Sequence, residues 1–219
     1  MANMGSSHAE LTDLGKAPVG YSLILPPGWV GIPLRDRKAT DSAVRRIVDK
    51  ACEELPSNFP RDKVTPYRLE IERRLRKGVA QAQTGSGLDL YLPLYERGRV
   101  PLGASFVVAE MTGPRNSPAD AKSILALMVE GPENDHCESV EVAESPAVRR
   151  DVMVGGDLQE DAELASRRVD YVIPVPQDPK RWVIVSFSTV GAGDPEDEIA
   201  EATTELFDAI MTTFRWREQ

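Results

Sequence analysis

Cysteines, long apolar runs and leader-like segments are scarce or missing in this chain of 219 residues. Only two cysteines occur, Cys52 and Cys137, which are too few for a disulfide framework and typical of a reducing compartment. No apolar run approaches the ~20 residues that a membrane-spanning helix needs. The first twenty residues do not have the basic and apolar regions of a secretory leader. These absences predict a cytoplasmic protein that does not associate with membranes.

Histidine and the common catalytic motifs are also scarce. The chain has two histidines, His8 and His136, and it contains neither a Gly-x-Ser-x-Gly motif nor a Gly-Lys-Ser/Thr loop. The stretch from Asp135 to Glu138 holds metal-ligating residue types, but adjacent side chains rarely converge on one ion and a second ligand pair is missing. We therefore predict no catalytic residue, no metal and no cofactor. A small hydrolase or metal-dependent enzyme that uses His136 and its neighbours is the alternative.

The formal net charge of −9 is unevenly distributed along the chain. Residues 35–99 carry fifteen Lys/Arg and ten Asp/Glu, a net charge of +5, whereas the other residues carry eleven and twenty-five, a net charge of −14. An acidic protein repels the phosphates of nucleic acids at long range, so we predict no nucleic-acid partner. The basic segment can contact an acidic protein partner or the acidic part of its own chain.

The last forty residues have the clearest pattern. The apolar, β-branched and aromatic run 181–188 predicts a buried strand. Asp194 is a suitable N-cap, and Pro195 a suitable first residue, for a helix that extends to Phe214. The apolar residues of this helix recur every three or four positions and predict one buried face: Ile199, Ala202, Leu206, Ile210 and Phe214.

A glycine-rich turn separates this strand from this helix. Gly191-Ala192-Gly193 is similar to the beginning of a dinucleotide-binding fingerprint, but Glu196 occupies the position of the third glycine. Acidic residues at the start of the following helix repel phosphate. We therefore interpret the segment as an ordinary strand-to-helix turn.

Short or alternating apolar runs predict the other strands. They lie at 21–25, 29–34, 88–95, 100–111, 140–143, 147–154 and 168–175. Turns are predicted at 26–28, 96–99 and 145–146, and an acidic loop or short helix at 157–165. Further helices are predicted at 40–55, capped by Thr40 or Asp41, and from 117 onward. Residues 1–18 are predicted to be a mobile tail, and residues 19–219 one domain with a helical insertion at about 40–84.

The densest basic stretch of the chain lies on a second helix of this insertion. Thr65-Pro66 predicts its start, and the glycines at 85 and 87 predict its end. Tyr67 is the first residue of its predicted buried face. Its other faces carry the residues that we predict to bind a protein partner: Arg68, Arg73, Arg74, Arg76 and Lys77. The alternative is a solvated helix face whose arginines pair with Glu70 and Glu72.

Several short motifs, in their order along the chain, resemble those of a known family. They are Pro27-Gly28-Trp29, Ile173-Pro174-Val175-Pro176, Ser186 to Thr189, Leu206 to Ile210, and Phe214 to Trp216. Together they are similar to the PsbP-like α/β/α sandwich family, and in particular to its uncharacterised cytoplasmic actinobacterial members. The resemblance covers about residues 20–217.

The resemblance implies an α+β fold in which helices pack on both faces of an antiparallel sheet. Members of the family include a photosystem II subunit, a Ran-binding nuclear import factor and LpqN-type lipoproteins, so the resemblance implies binding and no shared catalytic motif. We expect a non-enzymatic protein-binding or accessory module. Besides the enzyme based on His136, the remaining alternative is a structural component of a homo-oligomeric assembly, since the sequence leaves the oligomeric state open.

Overall fold

The computed structural model of the protein describes residues 16–94, 103–112, 121–130, 136–156 and 164–218. Several predicted features lie wholly or largely outside these residues. They are the N-terminal tail, the turn at 96–99, the start of the helix at 117, and the acidic segment 157–165.

The described strands form a seven-stranded antiparallel sheet and a separate two-stranded ribbon. The strands are β1 (Gly20–Ser22), β2 (Trp29–Pro33), β3 (Gly87–Pro93), β4 (Ala104–Thr112), β5 (Cys137–Val142), β6 (Ser145–Val154), β7 (Ser166–Val175), β8 (Asp178–Thr189) and β9 (Arg215–Arg217). The helices are α1 (Arg37–Glu53), α2 (Arg61–Thr84), α3 (Ala121–Glu130) and α4 (Glu198–Thr212). The sheet order is β2-β3-β4-β8-β7-β6-β5, and β1 pairs with β9. This arrangement confirms an α+β fold with an antiparallel sheet.

The hairpin of β7 and β8 lies at the centre of the sheet, where the sequence predicts two buried strands. Successive side chains of a strand point to opposite faces, so its alternate residues contribute to different clusters. Ile173 and Val185 belong to a cluster that includes residues of α4. Val172 and Trp182 belong to another, which includes Leu125 of α3. Both faces of these strands are therefore apolar, which explains why their sequence reads as a continuous apolar run.

The N-cap of helix α4 lies three residues after the predicted one, and the helix begins at Glu198. Asp197 is the observed cap, because its Oδ1 accepts a hydrogen bond from the backbone N–H of Ala200 at 2.6 Å. Asp194 instead accepts from the N–H of Glu196 within the preceding turn, so Pro195 also lies before the helix. The predicted apolar face is confirmed in part: Ile210 and Phe214 are buried and Leu206 packs against the same cluster, but Ala202 is exposed, because the buried face is rotated toward Phe207.

Two adjacent threonines on α4 differ in their hydrogen bonding. Both are buried, but the hydroxyl of Thr203 donates to the carbonyl of Ile199, whereas the hydroxyl of Thr204 has no partner among the described residues. We expect Thr204→Val to raise the free energy of unfolding by about 1 kcal/mol, because it removes an unsatisfied buried hydroxyl. Thr203→Val is the matched control and should lower it by about 0.5 kcal/mol, because it removes a formed bond. Urea unfolding measures both; equal changes would contradict this assignment.

Five charged side chains form ion pairs where α4 meets the sheet. Arg149 on β6 contacts Asp208 on α4 through Nε and Nη2 at 3.1 and 3.0 Å. Arg167 on β7 binds Asp151 on β6 through two hydrogen bonds of 3.0 and 2.8 Å, and it also pairs with Glu201 on α4. The two arginine side chains are only 14% and 15% exposed. These contacts fix the position of α4 on the sheet.

Helices α1 and α2 pack with β2 and β3 around a separate cluster. Val44 and Val48 of α1 and Ile32 of β2 are fully or almost fully buried in it. Asp36, and neither Thr40 nor Asp41, caps α1 by accepting from the N–H groups at positions 38 and 39. The predicted cap is therefore wrong by about one turn. Thr40 and Asp41 fit the sequence pattern of a cap residue followed by a helix as well as Asp36 does.

The start of α2 also differs from the prediction. The helix begins at Arg61, four residues before Thr65, and therefore Pro66 lies inside it. A proline has no N–H to donate and disfavours a helix interior. Here it lies in the second turn, where only the bond to the carbonyl of Asp62 is lost. The cap-plus-proline pattern at Thr65-Pro66 is thus not the helix start.

The first predicted strand is shorter than expected and does not pair with the second. Residues 20–22 form β1, which pairs with β9 at the other end of the chain, whereas β2 pairs with β3. Tyr21 stacks on Phe214 with ring centroids 5.6 Å apart, so an aromatic contact holds the ribbon against the core. The turn at 26–28 therefore connects a strand of the ribbon to a strand of the sheet, and it is not a hairpin turn.

The turn between β5 and β6 also differs from the prediction. It consists of Ala143 and Glu144, both with positive φ (48° and 62°), as a type I′ hairpin turn requires. Ser145 and Pro146 belong to β6. Pro146 precedes Val148, where the pairing of β6 with β7 begins, so its missing N–H costs no bond on that side.

Candidate functional site

Helix α2 is the least buried long helix of the described structure. Of its 24 residues, only Val79 is buried, while Ile71, Leu75 and Ala82 are partly buried against the cluster beneath α1. Tyr67, predicted as part of the buried line, is 36% exposed. Its ring instead contacts Phe59 in the preceding loop, with centroids 5.7 Å apart. Most of the helix surface is therefore available for contacts.

Arg73 and Arg74 lie on the solvent side of α2 and share one carboxylate. Arg73 Nε is 2.9 Å from Glu70 Oε2, and Arg74 Nε is 2.7 Å from Glu70 Oε1. The arginine side chains are 63% and 75% exposed. Their hydrogen bonds, followed by their charges, lower the pKa of Glu70 to about 2. This carboxyl therefore stays ionised at neutral pH, and two guanidinium groups stay beside it.

Arg68 and Arg76 have a different role, because both reach across to α1. Arg76 Nη1 lies 2.8 Å from Asp41 and its Nε lies 2.9 Å from Glu72, while Arg68 binds Asp49 at 2.5 Å. The hydrogen bond from Arg76 is the main reason that the pKa of Asp41 is lowered. These two arginines therefore connect the two helices, so the predicted basic set divides into connecting and outward-facing members.

An exposed leucine lies on the same outward face and was not predicted. Leu69 is 61% exposed. It precedes Arg73 by four residues, and Lys77 follows Arg73 by another four, so the three share one helix face. We call Leu69, Arg73, Arg74 and Lys77 the α2 patch. A leucine opposite the buried line of an amphipathic helix is the sequence signal that could have identified it.

The residues of the enzyme alternative are not gathered into a site. His136 is exposed in the turn before β5, and its carbonyl accepts from the N–H of Asp151. Cys137 is partly buried against the cluster of α3, and Asp135 lies outside the described residues. Within residues 16–94, 103–112, 121–130, 136–156 and 164–218, no three His, Cys, Asp or Glu residues are placed to hold a metal ion.

The glycine-rich turn before α4 is occupied by a side chain of the protein itself. Asp197 Oδ2 accepts from the N–H of Ala192 at 2.7 Å, while its other oxygen caps α4. An anion would have to displace this carboxylate to reach the same N–H groups, which supports the interpretation of an ordinary turn.

The comparisons add no relative from which a role could be inferred. No helix in the described parts of the chain is long and apolar enough to span a bilayer. Searches of the chain against protein-family models and against curated proteins find no match.

Proposed function

We propose that the protein is a non-enzymatic binding or accessory module of the cytoplasm that contacts an acidic protein partner through the α2 patch. One observation carries the proposal: an exposed leucine, Leu69, lies among basic side chains on a helix that buries only Val79. Protein contact surfaces combine an apolar centre with a polar rim and are enriched in arginine. The α2 patch has this composition.

The ion pairs of the α2 patch do not prevent such a role. Arg73 and Arg74 pair with Glu70 on the exposed surface of the helix, where ion pairs contribute little to stability. The arginines can therefore exchange this carboxylate for one on a partner at small cost. A partner that also covers Leu69 gains the burial of an apolar side chain.

We also propose that the fold is a PsbP-like α/β/α sandwich to which α1 and α2 are added. The distribution of the apolar clusters supports this arrangement. Residues of α4 pack with one set of alternate sheet residues, such as Val185, and residues of α3 pack with the other set, such as Val172. Ile32 and Leu90 contribute to the third cluster, with α1 and α2. In the family that the sequence resembles, such sandwiches serve in binding.

Substitutions that replace the exposed leucine or reverse the charge of the arginines on α2 test the proposed surface. Leu69→Glu, and separately Arg73→Glu with Arg74→Glu, should weaken binding of the partner at least about tenfold, which corresponds to ~1.4 kcal/mol. Arg76 stays unchanged, because its bond to Asp41 connects α2 to α1. Affinity capture from the source cells with quantitative mass spectrometry identifies the partner, and calorimetric titration of the purified pair gives the affinities.

Two matched controls separate this surface from general changes of charge. Ile24→Glu places the same charge at a 72% exposed apolar residue far along the chain. Arg45→Glu with Arg46→Glu reverses two adjacent exposed arginines on α1. Both controls should bind as the native protein does. A partner that binds the Leu69→Glu protein with native affinity would contradict the proposal, as would a homo-oligomer in light scattering that only the α2 substitutions dissociate.

A further inference from the structure

We propose a second contact site, away from α2, where an extended peptide with alternating basic and apolar residues adds to the edge of the sheet at β5. The site is a groove between β5, the second half of α4, and β9. This proposal does not depend on the α2 patch.

The groove consists of two neighbouring cavities. One, of about 390 Å³, has an apolar floor that includes Val140, Val142 and Met211. The other, of about 460 Å³, continues past the turn at Ala143 to the ring of Trp216. Glu141 lines both cavities and connects them. We call these two cavities together the β5 groove; it lies beside β5, a strand of six residues.

The outer edge of β5 has backbone groups available for pairing. Among the described strands, β5 is the last in the sheet order and pairs only with β6. The two-residue turn makes Val142 and Ser145 a hydrogen-bonded pair. The N–H and C=O groups of residues 142, 140 and 138 therefore point toward β6, whereas those of residues 141, 139 and 137 point away from the sheet. The outward groups make no backbone hydrogen bond to a described residue outside the ladder. Such an edge is the template that peptides use in β-augmentation.

The charges around the groove favour a basic peptide. Glu141, Glu144 and Glu218 line it and form no ion pair with another described residue. Two guanidinium groups also line the groove: Arg149 is bound to Asp208 and Glu138, and Arg215 donates to the carbonyls of Thr212 and Phe214. The lining contains five carboxylates against these two cations, so the groove keeps a net negative charge. Lysine or arginine beside Glu141 therefore gains an opposite charge, and oppositely charged cross-strand neighbours stabilise a sheet.

The same charges disfavour a second copy of this chain as the added strand. Pairing of two β5 edges would place the glutamates of one copy next to those of the other, and like charges on neighbouring strands are destabilising. Alternation then fixes the pattern of the peptide. Its apolar side chains face Val140 and Val142, and its basic side chains face the side of Glu141, because successive residues of a strand point to opposite faces.

Synthetic peptides test this site directly. The probe is acetyl-Thr-Lys-Val-Lys-Val-Lys-Thr-amide, added to the full-length ¹⁵N-labelled protein. We expect saturable shifts of the amide signals of residues 137–142 and of Met211. A peptide with glutamate in place of each lysine should bind at least about tenfold more weakly, as should a peptide that is N-methylated at the residues that donate to β5.

Two protein variants address the same contact from the other side. Ser139→Pro removes an outward N–H without removing a bond to β6, and Glu141→Lys reverses the central charge; each should weaken the lysine peptide at least about tenfold. An absence of shifts in β5 at millimolar peptide would overturn the proposal, and so would equal affinity for the N-methylated peptide. A dimer that Ser139→Pro dissociates would identify a second copy as the occupant and would also overturn it. Native binding of the α2 partner by Ser139→Pro separates this test from that of the α2 patch.

Discussion

Replacing Phe207 with alanine is expected to lower the free energy of unfolding by about 3–5 kcal/mol. The side chain is 1% exposed and lies at the centre of the main aromatic cluster. Its ring centroid is 4.7 Å from that of Phe187 and 5.7 Å from those of Phe106 and Tyr171. These neighbours belong to β8, β4 and β7, so the truncation leaves a cavity between α4 and three central strands that cannot easily collapse.

Denaturant unfolding followed by far-UV circular dichroism measures this loss. Leu206→Ala is the matched control on α4, because Leu206 is the adjacent residue and is only partly buried at the margin of the same cluster. Its cost should be about 2 kcal/mol, at the low end for leucine truncations. Phe207→Leu keeps most of the volume and should cost less than Phe207→Ala. If Leu206→Ala were as destabilising as Phe207→Ala, the central position of Phe207 would be wrong.

Asp151→Asn is expected to cost about 2 kcal/mol at neutral pH, within the usual range for hydrogen bonds to charged groups. Asp151 is 19% exposed and receives two hydrogen bonds from Arg167, with Arg149 3.3 Å away. Removal of its charge leaves two mostly buried guanidinium groups with fewer anionic partners. Glu205→Gln, at an exposed position on α4, is the matched control and should change stability little.

The pH dependence of this effect follows from the direction of the pKa shift. Burial alone would raise the pKa of Asp151, but the hydrogen bonds and charge of Arg167, together with Arg149, outweigh burial and lower it. The folded protein therefore binds the proton less readily than the unfolded chain, whose aspartates titrate near about 3.9. The stabilisation is complete above that value and is lost as the pH falls through the folded pKa. The difference between native and Asp151→Asn proteins should thus be constant from about pH 5 to 8 and shrink below about pH 4; an unchanged difference at pH 2 would contradict the assignment.

The elements with strong periodicity could be predicted from sequence, whereas the helix starts could not. The β7–β8 hairpin follows from local apolar patterns, and so does the existence of α4, although its buried face lies toward Phe207 and leaves Ala202 of the predicted face exposed. Asp194 and Asp197 both fit the pattern of an N-cap, and the choice depends on Ala200 and its neighbours being buried by the sheet. The ribbon of β1 and β9 depends on residues nearly 200 positions apart, and three-residue strands carry no periodic signal.

The location of the candidate surface could be predicted from sequence, but the division of its arginines into connecting and outward-facing residues could not. The sequence indicates a basic α2, yet Arg76 and Arg73 cannot be distinguished by local spacing. Their roles separate only through Asp41, which lies on a different helix and is brought within 2.8 Å of Arg76 by tertiary packing. The β5 groove was missed for a related reason. Its floor combines residues of β5 with Met211 of α4, and the sequence does not show which strand ends the sheet.

The β1–β9 ribbon also determines how the chain could be re-engineered. Gly20 faces Arg217 in the ribbon, and paired Cα atoms of antiparallel strands lie about 4.5–5.5 Å apart. A linker of a few residues could therefore join these positions covalently, and the backbone could be reopened at the exposed residues 56–58 between α1 and α2. Such a circular permutant keeps every strand of the sheet intact while turning α2 into a terminal arm to which reporters or tandem copies could be fused.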